Sequence, residues 1–339
     1  MGTKRKKRAK IMIQTRPTLS QMSKALDLSI STVSKSLSDS PEISISTKNK
    51  VREFARKCNY RPNSFAASLR RGYTKNIGLI IPSVLNPFYA KVLVGVEKYL
   101  DENGYKLITS ISNESAEKEA KYLSVLGSGY VDGVIICVSK ETEITNKYKH
   151  IDTLIGQGTP LVLFDRISDL KRCDSVRIDD YKASFEATEY LIVNKDCKKP
   201  IMVSLINQLQ HGKLRAKGFT DALKKYNIST ENSIIDATTI EELISKVKPV
   251  LQENNIDGIF GANDLALAQT MDIERNLNTI KIAYTGFCNN SKIAWNPALR
   301  IINQNAKKMG EEAAKLVIQR IKITNTTEFY TRTIRTEFV

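Results

Sequence analysis

Two histidines, His150 and His211, are all that 339 residues carry. That is too few for a histidine-built metal site and a thin basis for histidine-centred catalysis. The five cysteines, Cys58, Cys137, Cys173, Cys197 and Cys288, are odd in number and widely scattered, with no C-x-x-C pair. They imply neither a disulfide frame nor a zinc site, but reduced thiols in a cytoplasm. No apolar run approaches 18 residues, so no membrane span is expected. The basic start MGTKRKKRAK is not followed by an apolar stretch of secretory-signal length, so no secretory leader is expected either. The phosphate-cradling G-x-x-x-x-G-K-[ST], the G-x-S-x-G elbow and the zinc-binding H-E-x-x-H are all missing. Neither a cofactor nor a metal is implied.

Acidic residues are scarce in one place only. Residues 1–76 hold 18 Lys+Arg against 4 Asp+Glu, and the remainder holds 34 against 32. Nearly all of the net charge of +16 therefore sits in the first quarter. A small basic module before a near-neutral body is the footprint of a polyanion-binding head, although a solvated basic tail on an ordinary enzyme would carry the same charge. Length argues for two or three domains.

Residues 1–17 read as a basic flexible arm, because Lys4, Arg5, Lys6, Lys7, Arg8 and Lys10 repel one another and bury nothing. Residues 18–62 read as a headpiece of three short helices. Thr18 is suited to cap a helix with Leu19, Met22, Ala25 and Leu26 at three-to-four spacing. Asp27-Leu28-Ser29 breaks it, and Ser29 can cap a second helix with Val33 and Leu37 on its apolar side. This is helix-turn-helix spacing. A third helix runs from about 46 to 59, with Val51, Phe54, Ala55 and Cys58 inward. The second helix is the one to enter a major groove. Its outward residues include Ile30, Ser31, Ser34 and Lys35, chemically able to meet a thymine methyl, several bases, and guanine O6/N7, respectively for Ile30, Ser31 and Lys35. Ile30 has a second reading as a core residue. Residues 63–75 form a hinge segment and linker. About eight helical residues lie between Pro62-Asn63 and Gly72, too few to be stable alone in water.

From residue 76 to 339 short apolar runs alternate with helical patterns. Candidate strands lie at 77–81, 106–111, 133–138, 160–164, 175–178, 200–205, 234–237, 258–262, 281–286 and 299–303. The fold class is therefore α/β: an all-α helix-turn-helix headpiece followed by doubly wound parallel sheets, with enough strands for two. Ligands of such sheets bind beyond the carboxyl ends of the strands. That rule selects Ser83, the Asn86-Pro87-Phe88 loop, Asp165-Arg166, Asn263-Asp264 and Cys288-Asn289-Asn290, together with Arg215, read as the start of a helix. Arginine with Asp and Asn acceptors and an aromatic suits a polar, polyhydroxylated small molecule. Asp264 could equally be a helix cap, and Asp165-Arg166 an inter-lobe salt bridge.

The segment S-x-x-T-V-S-K-x-L-S at 29–38, Y-R-P-N at 60–63 and I-G-L-I-I-P followed by N-P-F-Y resemble the opening of the lactose/galactose repressor (LacI/GalR) family. The resemblance runs from about residue 18 to the C-terminus. It implies a homodimeric transcriptional regulator, a repressor, on a pseudo-palindromic DNA operator, with a periplasmic-binding-protein-like core that senses a sugar or sugar derivative between two lobes. The chain would cross between lobes three times. The N-lobe is expected at about 76–165 and 294–323, and the C-lobe at about 166–293 and 324–339. The resemblance places Thr18, Ser29, Thr32, Ser34, Tyr60 and Asn63 on phosphates, Ile30, Ser31 and Lys35 on bases, and Leu69 as the wedge at the central step. It places Phe88, Asp165, Arg215 and Asn263 on the effector. Three departures matter. Lys35 stands where arginine is usual, Asp27 replaces a turn glycine, and Cys288 replaces an aspartate of G-F-D-D. The last leaves three readings: an atypical effector, substitution by Asn289, or weakened sensing. Outside the regulator reading stand a solute-binding protein, against which the basic head argues, and a sugar-processing enzyme.

Overall fold

The computed structural model describes residues 17–61, 72–167, 172–253, 255–277, 282–289, 299–323 and 328–339. The arm up to residue 16, and the hinge residues 62–71 with Asn63 and Leu69, lie outside them. The chain divides into a unit ending at Gly72 and a unit beginning at Tyr73.

The first unit is three helices: α1 (Leu19–Leu26), α2 (Ile30–Leu37) and α3 (Ile45–Lys57). Each begins on a side-chain cap. Thr18 accepts from the Gln21 N–H while Gln21 returns a bond to the Thr18 N–H, Ser29 accepts from Thr32 and Ser44 from Thr47. The break after α1 works through Asp27, which takes the left-handed conformation (φ 53°) that the usual glycine would supply. Met22, Leu26, Val33, Val51 and Ala55 form the core, with Phe54, Cys58 and Tyr60 packed against it. Ala25, expected on the apolar face, is exposed.

The second unit holds two six-stranded sheets. The first has the order β11-β5-β4-β3-β1-β2, all parallel, from β1 (Asn76–Ile81), β2 (Lys106–Ile111), β3 (Gly133–Ile136), β4 (Leu161–Phe164), β5 (Asp174–Ile178) and β11 (Thr331–Ile334). The second has the order β12-β10-β9-β8-β6-β7, from β6 (Pro200–Ser204), β7 (Ile234–Asp236), β8 (Gly258–Gly261), β9 (Ala283–Phe287), β10 (Arg300–Asn303) and β12 (Glu337–Phe338). It is parallel except for β12, which runs antiparallel at the edge. The helices between strands are α4 (Pro87–Glu102), α5 (Ala116–Gly127), α6 (Lys140–Thr145), α7 (Lys149–Gly156), α8 (Asp180–Asn194), α9 (Gln210–Lys225), α10 (Ile240–Gln252), α11 (Asp264–Leu277) and α12 (Ala306–Lys322).

All ten strands expected from the sequence form, but their allocation to lobes differs. β5 pairs with β4, so residues 174–178 belong to the first sheet and not to a C-lobe starting at 166. β10 pairs with β9, so residues 300–303 belong to the second sheet and not to the N-lobe segment 294–323. β11 pairs with β5 in the first sheet, against an all-C-lobe tail of 324–339. The chain crosses between sheets after Ile178, after Asn303, and between Ile334 and Glu337. The reason is physical. An apolar run announces a strand, but membership of a sheet is a long-range pairing to which local periodicity is blind. A buried pair fixes the first sheet's edge: the Asp174 carboxylate takes two bonds from the Arg320 guanidinium (2.6 and 2.9 Å) and one from the Tyr330 N–H (2.7 Å). Residues 74 and 75, expected in the linker, are tied to the core through the Asp132 carboxylate, which accepts from both of their N–H groups.

Helices α4 and α12 meet through glycines. A Cβ on Gly95 would lie 2.0 Å from the Lys307 carbonyl oxygen, and one on Gly310 2.1 Å from that of Val92. The obstacles are backbone atoms, so no side-chain rearrangement relieves them. Gly310→Ala is expected to destabilise the core by at least about 1–3 kcal/mol through overpacking, read as a lowered urea midpoint; an unchanged midpoint would contradict this helix contact.

Candidate functional sites: a helix-turn-helix surface and an inter-lobe cavity

In the headpiece, α2 buries Val33 and Ser36 and turns its first residues outward. Ile30 is 51 % exposed, which removes its core reading. Ser31 is exposed beside it. Ser29 and Thr32 are hydrogen-bonded to each other at the helix start (2.8 Å), and Thr18 occupies the corresponding cap of α1. Tyr60 packs against the small core with its N–H on the Ala55 carbonyl (2.8 Å). Lys35 is not idle: its ammonium is ion-paired with Glu42 in the turn before α3. Any base contact by Lys35 must compete with that exposed pair, a weak opponent.

In the second unit a cavity of about 550 Å³ opens between the two sheets, within the ~300–1,000 Å³ of small-molecule sites. Its wall includes Phe88, Asp165, Arg215 and Asn263, the four residues that the family resemblance places on an effector. Arg215 is the most constrained. It lies inside α9, one turn beyond a start at Gln210, not at the helix start expected from the sequence. Its Nε and Nη2 lie 2.7 Å from Asp180 Oδ1, its Nη1 donates to the Ala262 carbonyl (2.6 Å), and its guanidinium stacks 3.5 Å from the Phe287 ring centroid. Burial pushes the Asp180 carboxyl up to about 6 against the pull of that guanidinium.

Asp165 follows β4 in the left-handed conformation (φ 63°). Among the described residues nothing donates to its carboxylate, and burial raises its pKa against the fields of Arg215 and Arg166. Its neighbour Arg166 is no inter-lobe bridge. Both ends of its guanidinium go to Glu114 on its own lobe (2.6 and 2.8 Å), with a third bond to the Val138 carbonyl. Asn263 uses its Oδ1 to accept from the Leu205 N–H (3.1 Å), joining the ends of β6 and β8. Asp264, the first residue of α11, accepts from the Asn289 N–H (2.6 Å) and from the Cys288 thiol.

Two sequence-named residues are off the wall. Ser83 accepts from the Leu85 N–H within its own turn. Cys288 is 1 % exposed and packs with Leu267, Leu299 and Ile301. The residue that faces the cavity after β9 is Asn289, whose amide also binds Gln304 (2.9 Å). Of the three readings left by Cys288, the geometry favours Asn289 as its replacement. Position 288 is apolar core, where a carboxylate would be costly unless it found a partner. The sequence reading missed Glu114 and His211. Glu114 sits just beyond the carboxyl end of β2, where the same strand-end rule points. His211 is one helical turn before Arg215 and so shares its face. Burial, with Arg215 and Arg166 nearby, holds His211 well below the usual imidazole pKa, so it is neutral at pH 7.

Two sequence families match this arrangement. That of the periplasmic binding proteins and sugar-binding domain of the LacI family covers residues 74–338, and that of the bacterial regulatory proteins, lacI family, covers residues 19–63. The chain belongs to the LacI family. The ribose operon repressor of Bacillus subtilis (strain 168) is 28 % identical over 315 residues, spanning 90 % of this chain and 92 % of the repressor. The HTH-type transcriptional regulator DegA of the same organism is 27 % identical over 303 residues, 87 % of this chain and 88 % of DegA. Among solved structures, the transcriptional regulator CelR–cellobiose complex shares the fold, with a TM-score of 0.69 at 22 % identity over 96 % of this chain and 98 % of that one. As a LacI-family member the chain is a DNA-binding transcriptional regulator and not an enzyme. Among the described residues no helix is long and apolar enough to cross a membrane.

Removing the Arg215 guanidinium strands a buried carboxylate. Arg215→Ala is expected to lower the unfolding free energy by about 3–5 kcal/mol, with partial recovery when Asp180→Asn is added. Urea unfolding of the two single variants and the double variant measures this; additive losses would mean that the two groups do not act as a pair.

Proposed function

We propose that this LacI-family regulator is a cytoplasmic homodimeric repressor that reads a pseudo-palindromic operator and changes its operator affinity when a sugar-like effector binds between the lobes. The observation that carries this reading is the presence in one chain of a capped recognition helix exposing Ile30 and Ser31 and a cavity at the carboxyl ends of two parallel sheets. Ile30, Ser31 and Lys35 are assigned to bases, with Lys35 exchanging Glu42 for a base acceptor. Thr18, Ser29, Thr32, Ser34 and Tyr60 are assigned to phosphates. Asn63 and Leu69, outside the described residues, keep their roles from the family resemblance.

The cavity's charges point to an uncharged effector rich in hydroxyls. Arg166 is engaged by Glu114 and Arg215 by Asp180, and the third cation of the wall, Lys140, is outnumbered by the Asp165 and Asp264 carboxyls on the same wall. The Asp165 carboxylate is available to accept from hydroxyls, and the Asn263 amide nitrogen to donate. Phe88 supplies an apolar face for the ring carbons. A ligand shifts operator affinity only through unequal affinity for two arrangements of the lobes. The three crossing segments are where such a change concentrates.

The test is selection from a random duplex library with the full-length protein at near-physiological salt. The account expects a two-fold symmetric motif whose half-sites relax at defined positions when Ile30 or Lys35 is changed to Ala. Binding without any motif that vanishes as salt rises would reduce the headpiece to a nonspecific polyanion grip.

A further inference from the structure

Helix α9 carries both His211 and Arg215 to the cavity, yet the residue that leads into it does not cap it. The N-cap position is Leu209, which has no side-chain acceptor. The first N–H of the helix, that of Gln210, instead donates to Glu143 Oε1 at 2.6 Å. Glu143 belongs to α6, after β3 of the first sheet; α9 follows β6 of the second. The bond therefore spans the cleft. We infer that Glu143 is a positioning residue of the effector cavity, acting as an N-cap supplied by one lobe to a helix of the other and so clamping the lobes together over His211 and Arg215. The functional half of this inference rests on the effector reading of the cavity; the clamp itself does not.

Both ends of the clamp are held rigidly. On the first lobe, α6 is fixed by the buried Glu119, which accepts from the Ser139 N–H, from the Thr142 hydroxyl (2.8 Å) and from His150 Nε2 (2.7 Å). On the second lobe, the start of α9 is pressed on its own loop. A Cβ at Gly212 would lie 2.0 Å from the Ile206 carbonyl oxygen, so the helix start seats only with glycine there. Burial raises the Glu143 carboxyl against the pull of the Gln210 N–H, Arg166 and Lys213, as expected for a desolvated cap, with Glu114 pushing the same way as burial. A carboxylate at a helix N-terminus also gains from the helix dipole. A second cross-cleft bond, from Lys91 Nζ on α4 to the Asn289 carbonyl (2.7 Å), closes the cavity elsewhere on its rim.

The chain's two histidines provide the assay. Diethyl pyrocarbonate acylates neutral imidazole, His211 is buried within the cleft, and His150, on α7 of the first lobe, is an internal control that reports any general loosening of that lobe, α6 included. Modification rates at each histidine are measured by peptide mass spectrometry on the ligand-free, full-length protein. Two variants remove the clamp from opposite sides. Glu143→Ala deletes the acceptor. Gln210→Pro deletes only the donor, since proline suits the first helical position and Leu209 is already extended (φ −89°, ψ 153°). Each variant is expected to raise the rate at His211 about 10-fold or more, as loss of one charge-assisted hydrogen bond allows, with His150 unchanged. Glu143→Gln, which keeps an acceptor oxygen, is expected to stay nearer the unaltered protein. An unchanged His211 rate in both variants, or an equal rise at His150, overturns the clamp. Because neither ligand nor DNA is used, failure here leaves the effector reading standing, and an ineffective sugar panel leaves the clamp standing.

Discussion

A guanidinium buried away from water is tolerated only where its charge and its donors are matched, and in this protein that requirement organises the cleft. Arg215 is met by the Asp180 carboxylate, the Ala262 carbonyl and the face of Phe287. Those partners come from the start of α8, from the loop beyond β8 and from the end of β9. One side chain thus gathers the carboxyl ends of the second sheet against the first crossing segment, next to the Asp165 carboxylate. The broken pair would be far more expensive than the pair is valuable, so the cluster acts more as a geometric constraint than as a source of stability. The second-lobe wall of the cavity inherits its shape from that constraint.

Much of this was legible in the residues. Capping signals at Thr18 and Ser29 and the apolar spacing of Met22, Leu26 and Val33 lead directly to the observed helices, and short apolar runs bounded by polar residues lead to ten strands. The strand-end rule led to Phe88, Asp165 and Asn263 on the cavity wall. What was not legible depends on distance along the chain. The placing of β11 and β12 on different sheets, and the allocation of β5 and β10, are decided by pairing partners far away in sequence. Cys288 and Asn289 show the same limit at one position. Neighbours along a strand end face opposite ways, and the sequence alone does not say which one sees the cavity.

Two layers of polar contact surround the cleft. Pairs within a lobe, Glu114 with Arg166 and Asp180 with Arg215, set the wall chemistry without resisting lobe motion. Bonds between lobes, Glu143 to Gln210 and Lys91 to Asn289, oppose that motion directly. In the proposed reading, an effector that fills the cavity would act on the second layer by making or replacing contacts across the gap. A few such bonds have the magnitude needed for a switch, since coupling between sites is typically worth about 1–3 kcal/mol. The chain's charge asymmetry runs alongside: the basic excess lies in the first quarter, ahead of the unit that holds the cavity.

The most direct test of the account is reciprocity between the two ends of the chain. Affinity for the selected duplex would be measured by fluorescence anisotropy, with and without each member of a panel of neutral mono- and disaccharides, alongside the unfolding temperature with the same ligands. The account predicts that a sugar which raises the unfolding temperature also changes duplex affinity by about fivefold or more, and that the duplex changes sugar affinity by the same factor. Sugars that stabilise the protein yet leave duplex affinity unaltered would contradict it.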